Sequence, residues 1–168
     1  NILDLGTGSG VIGITLSKLF PNSIITISDI SSKALKVAKK NIKKHNVTNI
    51  RSLESDWFDS FEENKLFDLI LTNPPYISKD DYHLNNHELS YEPLNALVAA
   101  NNGFADIFKI IDTSPRFLNS EGLLMIEHGH TQGNGVKNYF QQMSFDNIKQ
   151  YLDINQKIRV TSASKIKI

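Results

Sequence analysis

Residues 1–20 read NILDLGTGSGVIGITLSKLF, and this stretch decides the fold. NILDL is a short apolar run that stops at glycines, which reads as a buried strand. GVIGITLSKLF places Ile12, Leu16 and Leu19 at helical spacing, and Pro21 ends that pattern. Between the two, glycines at 6, 8 and 10 let the backbone turn tightly and come close to a ligand.

The alternation continues outward. SIITISD is a second strand rich in β-branched residues. SSKALKVAKKNIKKHN predicts an amphipathic helix, with Ser31 as N-cap and Leu35, Ala38 and Ile42 as its inner stripe. IRSLES and LFDLILTN read as the third and fourth strands. Residues 73 to about 104 form a long, mostly irregular connection, a length that is usually either functional or disordered. ADIFKIIDTSPRFL predicts a helix despite Pro115, and GLLMIEHG a fifth strand. TQGNGVKNYFQQM predicts a helix weakened at its start by Gly133 and Gly135. FDNIKQYLD and KIRVTSASK read as a final antiparallel pair. Strands alternating with helices predict an α/β domain with a mainly parallel sheet. Ligands in such sheets lie outside the carboxyl ends of the strands, at the topological switch point. The glycine turn, Asp29, Asp56–Trp57 and Asn73 are therefore expected on one rim.

Composition narrows the function classes. The 18 lysines and arginines balance 18 aspartates and glutamates, which argues against gripping nucleic acid by its phosphates. Without cysteine there is neither a disulfide nor a thiolate metal site. No apolar run approaches the roughly 20 residues that cross a bilayer, and no signal-peptide pattern opens the chain. A cytoplasmic location is expected. The 168 residues suit one domain, 1–168, and the start at Asn1 inside an apolar run reads as a piece cut from a longer protein. His83 and His87 share i, i+4 spacing and His128 and His130 flank Gly129, but a metal needs three or four ligands, so none is expected. Lysines 33, 36, 39, 40, 43 and 44 read as a solvated helix face. Glu92 and Glu127 are expected to hold the long connection against the fifth strand.

Four short motifs carry the chemistry. In DLGTGSG, residues 4–10, Val11 stands where a dinucleotide fingerprint needs its third glycine. The spacing is G-x-G-x-G, which matches the glycine loop of class I methyltransferases, binders of S-adenosylmethionine. The plain alternative is a strand-to-helix turn. Asp29, at the end of strand two, can accept hydrogen bonds from both ribose hydroxyls; capping the next helix is the alternative. In SDWF, Trp57 suits an aromatic wall against adenine and Asp56 suits its amino group, with core packing as the alternative for Trp57. NPPY, residues 73–76, resembles the Asn/Asp-Pro-Pro-aromatic motif that marks, among class I methyltransferases, enzymes methylating a planar amino nitrogen. Such a nitrogen is a poor nucleophile because conjugation ties up its lone pair. The Asn73 side-chain oxygen can accept one N–H and the Pro74 carbonyl the other, leaving the lone pair aimed at the methyl. The prolines stiffen that carbonyl, and Tyr76 can pack against the flat group. The alternative is a rigid Pro-Pro turn.

With DLGTGSG, SDWF, NPPYI, YEPLNALVAANNGFADI and EHGHTQG on the page, the chain resembles the HemK-type release-factor glutamine methyltransferases over essentially its whole length. YEPLNALVA, residues 91–99, discriminates most, since NPPY is shared with DNA and RNA amine methyltransferases. The resemblance implies a Rossmann-like class I methyltransferase fold. Its sheet is seven-stranded and mainly parallel, with helices on both faces and a C-terminal antiparallel pair. It implies S-adenosylmethionine held by Asp4, Gly6, Thr7, Gly8, Ser9, Gly10, Asp29, Asp56, Trp57 and Asn73. It implies the glutamine of a Gly-Gly-Gln motif held by Asn73, Pro74, Pro75 and Tyr76, with Asn73, Pro74 and Tyr76 catalytic. The implied partners are peptide chain release factors, with neither membrane nor direct nucleic-acid binding. The family also carries an N-terminal helical domain ahead of the first strand, which this sequence lacks. The isolated domain is therefore expected to bind cofactor yet methylate poorly. Two rivals stand beside this reading: a nucleic-acid amino methyltransferase acting on adenine N6 or guanine N2, and a cofactor-binding module without turnover.

Overall fold

The expected strand, glycine turn and helix open the chain as β1 (Ile2–Leu5) and α1 (Val11–Leu19). They are followed by β2 (Ile25–Asp29), α2 (Ser32–Lys44), β3 (Ile50–Glu54) and β4 (Phe67–Thr72). A computed structural model of the protein describes residues 1–78 and 98–167. Beyond β4 come β5 (Ile77–Ser78), β6 (Val98–Ala99), α3 (Ala105–Thr113), β7 (Leu118–Glu127), α4 (Gly133–Gln142), β8 (Asp146–Leu152) and β9 (Ile158–Ser164). Most of YEPLNALVA, with His83, His87 and Glu92, lies outside the described residues.

Seven strands form one sheet in the order β3-β2-β1-β4-β7-β9-β8. The first five are parallel, and β9 runs antiparallel to both β7 and β8. The chain winds outward from β1 to β3, then returns to β4 on the other side of β1. The switch point therefore lies between β1 and β4, where Leu5 pairs with Thr72. There the Thr72 hydroxyl donates to the Leu5 carbonyl at 2.7 Å. The two-residue parallel pair β5–β6 stands apart and brings Ile77 opposite Val98.

Alternation along β1 sorts the core into two layers. Leu3 and Leu5 pack with Ile70, Leu124, Ile107, Ile110 and Phe140 on the face covered by α3 and α4. Ile2 packs with Ile25, Ile27, Leu16 and Ala38 under α1 and α2. Full burial of each leucine, isoleucine or phenylalanine among them is worth about 1.5–3 kcal/mol. These layers, rather than helix propensity, hold the helices on the sheet. Ser31 caps α2 as its sequence implies, its hydroxyl oxygen accepting the Ala34 N–H at 3.2 Å.

One boundary differs from expectation. The helix over ADIFKIIDTSPRFL ends at Thr113 and tightens into a 3-10 turn over Ser114–Arg116, and β7 begins at Leu118. Pro115 lacks the N–H that an α-helix would use and crowds the preceding turn. The strand is longer than GLLMIE because an irregularity opposite Phe67 and Leu69 lets Leu118 join the sheet ahead of Leu123. No helix among the described residues is long and apolar enough to cross a membrane.

Candidate functional site

The glycine loop is shaped by two aspartates. The Asp4 Oδ2 atom accepts the Thr7 hydroxyl and the Gly13 N–H. Gly6 and Thr7 both donate their N–H groups to the Ser28 carbonyl, at 2.9 and 2.8 Å. Asp29 then ties the loop to the next unit: its Oδ2 accepts from Gly8 N and its Oδ1 from Ser31 N, each at 2.8 Å. Asp29 thus orders the start of α2, while each of its oxygens keeps further acceptor capacity on a half-buried side chain.

Asp4 is fully buried and its Oδ1 has no partner among the described residues. Burial raises its pKa to about 6, the hydrogen bonds from Thr7 and Gly13 oppose the rise, and the Asp29 charge adds to it. Asp4 therefore favours folding most below its ordinary value of 3.8, and that contribution is lost as the pH rises through 6. About two decades of proton concentration at about 1.4 kcal/mol each give about 3 kcal/mol. Asp4→Asn cannot ionise, so its stability relative to wild type should rise by about 2 kcal/mol between pH 4 and pH 7. Urea unfolding at the two pH values measures this.

The rim continues through the loop after β3. Ser55 is buried; its hydroxyl donates to the Trp57 carbonyl at 2.8 Å and accepts the Ser60 N–H at 3.0 Å. These bonds hold Trp57 at φ 47, a left-handed conformation that costs a bulky residue about 1–3 kcal/mol. Its indole lies over the glycine turn. A Cβ at Gly6, itself at φ 74, would sit 3.2 Å from Trp57 Cζ3. The indole N–H donates to Asp106 Oδ1 of α3 at 3.2 Å, and the ring packs against the core layer under α3. Trp57 thus joins core and rim at once. Asp56 is exposed and pairs with Lys109 at 3.4 Å. Beside it opens a cleft of about 260 Å³ lined by Ile30, Glu54, Ser55, Asp56 and Ser60. Ile30 was missed by the sequence reading. The signal was an apolar residue directly after the acidic end of β2, and it stands 63% exposed.

Across the switch point, Asn73 is exposed at the end of β4, Pro74 is buried, and Pro75 and Tyr76 are half-buried. The Tyr76 hydroxyl donates to Glu127 Oε1 at 3.2 Å and accepts from Arg159 Nη2 at 3.1 Å. The same guanidinium lies 5.6 Å from the ring centroid. Burial, with the Glu127 charge behind it, raises the Tyr76 pKa, so the phenol stays protonated at neutral pH. Glu127 thus holds the start of the long connection against β7, as expected. His128 is buried, its pKa lowered by burial, and its ring nitrogens engage the Gly129 carbonyl at 2.9 Å and the Thr161 hydroxyl at 2.8 Å. It is a neutral structural residue. Among the described residues no group of three His, Asp or Glu side chains could hold a metal ion.

The sheet order, with its glycine turn, acidic strand end and NPPY loop on one rim, defines the fold of the class I S-adenosylmethionine-dependent methyltransferases. The family model described as Methyltransferase small domain matches residues 1–90, and the chain belongs to that family. A release factor glutamine methyltransferase of Francisella tularensis is 42% identical over 162 residues, spanning 96% of this chain and 57% of that protein. One from Pasteurella multocida is 41% identical over 169 residues, spanning 96% of this chain and 56% of that protein. The chain thus spans little more than half the length of the curated relatives it matches. A methyltransferase structure from Pyrococcus furiosus superposes with a TM-score of 0.74 at 16% identity, over 98% of this chain and 74% of that one, which supports the fold.

Proposed function

We propose that this chain is the methyltransferase domain of an enzyme that methylates the glutamine side-chain amide in the Gly-Gly-Gln motif of peptide chain release factors. S-adenosylmethionine is the donor. The carrying observation is the exposed Asn73 at the switch point, with the NPPY loop pinned behind it by Glu127 and Arg159. The names of the curated relatives support glutamine over other planar nitrogens. Release factors act in the cytoplasm, and the proposal puts the enzyme there.

The residues present suit this donor. Asp29 has acceptor capacity left for ribose hydroxyls, and the cleft beside Ile30 and Asp56 suits a flat adenine with an amino group. The buried, unpartnered Asp4 Oδ1 marks a polar demand at the loop that a cationic ligand would ease. Gly8 faces open space, so the loop leaves room for a close approach. To the same binding region the proposal assigns Trp57, whose indole lies over Gly6, and the loop residues Gly6, Thr7, Ser9 and Gly10. When bound, S-adenosylmethionine supplies a methyl group on a positively charged sulfur.

The chain's own residues prepare the nucleophile. The Asn73 Oδ1 accepts one amide N–H of the glutamine and the Pro74 carbonyl accepts the other. This holds both N–H bonds out of the amide plane, so that the nitrogen lone pair leaves conjugation and is directed at the methyl. As the C–N bond forms, the methyl–sulfur bond would break and leave a neutral thioether; the nitrogen, now cationic and acidic, releases its proton to water, so no strong base is needed. Holding nucleophile and methyl in line supplies several kcal/mol, with about 7–11 as the ceiling for ideal positioning.

The test uses full-length protein, tritium-labelled donor and release factor. Label should reach wild-type release factor and not its glutamine-to-alanine variant; equal labelling of both would overturn the proposal. In the same preparation, Asp29→Ala should weaken cofactor affinity by about 10- to 100-fold, the loss of one charge-assisted hydrogen bond or more. Calorimetry measures it.

A further inference from the structure

EHGHTQG, residues 127–133, contributes Glu127 to Tyr76, but its glutamine has no part in the chemistry described so far. Gln132 is 7% exposed just before α4. Its Nε2 donates to the Tyr76 carbonyl at 3.1 Å and to the Asn102 carbonyl at 3.3 Å. Its Oε1 accepts the Gly129 N–H at 2.8 Å. One buried amide therefore joins three segments: the NPPY loop, the turn that follows β6, and the turn after β7.

The placement matters because Gln132 grips the chain beside both β5 and β6. The Ile77–Val98 and Ser78–Ala99 pairs join these strands, and the Tyr76 and Asn102 carbonyls flank the pairs. An amide serves where a hydroxyl or carboxylate cannot. Two carbonyls need two N–H donors on one atom, while the Gly129 N–H needs an acceptor on the same side chain.

We propose that Gln132 is a positioning residue for methyl transfer: it sets the direction of the NPPY backbone, and with it the Pro74 carbonyl, without touching cofactor or substrate. The proposal rests on the methyltransferase reading for its kinetic arm only. Gln132→Glu keeps the acceptor but sets a carboxylate against two carbonyls. Gln132→Met keeps the volume and removes every hydrogen bond. In full-length protein both variants should lower kcat at least 10-fold while the Kd for S-adenosylmethionine changes less than twofold. Hydrogen exchange in residues 73–78 and 98–103 should accelerate in both, with β1 and β2 unchanged. The proposal fails if exchange in those two segments matches wild type in both variants, or if cofactor affinity falls in step with kcat. Wild-type protein that transfers no methyl to release factor overturns the functional reading instead, and the exchange measurement then decides the role of Gln132 alone.

Discussion

Asn73→Ala is expected to lower the rate of methyl transfer by about 10²–10³-fold, by analogy with the loss of one aimed partner from an oxyanion hole. The side chain is exposed at the carboxyl end of β4, so its removal leaves no cavity in either core layer. Stability should change by no more than about 0.5 kcal/mol. The loss should fall on kcat, because the Asn73 oxygen matters most when the amide nitrogen leaves conjugation. Cofactor affinity should hold within a few-fold, since Asp29 and the cleft beside Ile30 lie across β1 from Asn73. Single-turnover kinetics with release factor, paired with calorimetry, separates the two. A variant that loses only cofactor affinity would show Asn73 to be a binding residue with no part in the chemistry.

Local chemistry was legible in the sequence and distant partnership was not. β1, the glycine turn, α1 and the Ser31 cap depend on neighbours a few residues away, and their spelling is explicit. Asp29 could be placed on the rim because a parallel sheet has only one carboxyl edge. Its two readings, ribose acceptor and helix orderer, were not in fact rivals. One carboxylate oxygen reaches Gly8 and the other Ser31, with lone pairs to spare. Trp57 escaped the same choice: its position after β3 was foreseeable, but its left-handed backbone depends on Ser55, and its indole tether on Asp106. Arg159 left no signal. It lies 83 residues from Tyr76 and reaches it only because β9 inserts between β7 and β8. A hairpin pair foreseen from its pattern did not reveal which of its strands would be interior.

The same insertion explains why the NPPY loop can be both stiff and exposed. The Tyr76 hydroxyl and carbonyl are satisfied from behind, by Glu127 on β7, Arg159 on β9 and Gln132 before α4, while Asn73 is exposed. The prolines contribute fixed φ at two positions, which lowers the entropy lost when a substrate amide is gripped.

Gly103→Ala should cost about 2–5 kcal/mol of stability, for two separable reasons. Gly103 sits at φ 84, where a Cβ costs about 1–2 kcal/mol. That Cβ would also collide with the Tyr76 carbonyl oxygen and lie 2.7 Å from Gln132 Nε2. Overpacking of this kind costs about 1–3 kcal/mol. The neighbours cannot yield cheaply, because the nearest atom is backbone and Ile77 is already paired with Val98. The turn is strained before any substitution: Asn101 and Asn102 are left-handed at φ 53 and 54, a conformation that asparagine tolerates better than most residues. Three consecutive left-handed residues persist only where the surroundings determine them, and here the surroundings are Tyr76 and Gln132. Urea unfolding should report the loss of stability. Methyl transfer should fall with it, because the methyl-accepting amide depends on the Pro74 carbonyl two residues before Tyr76. Cofactor affinity should be spared, as the glycine loop and Asp29 are anchored through Ser28 and α2. Wild-type stability in the alanine variant would mean that the 101–103 turn relaxes freely, and that its contact with Tyr76 does not constrain the NPPY loop.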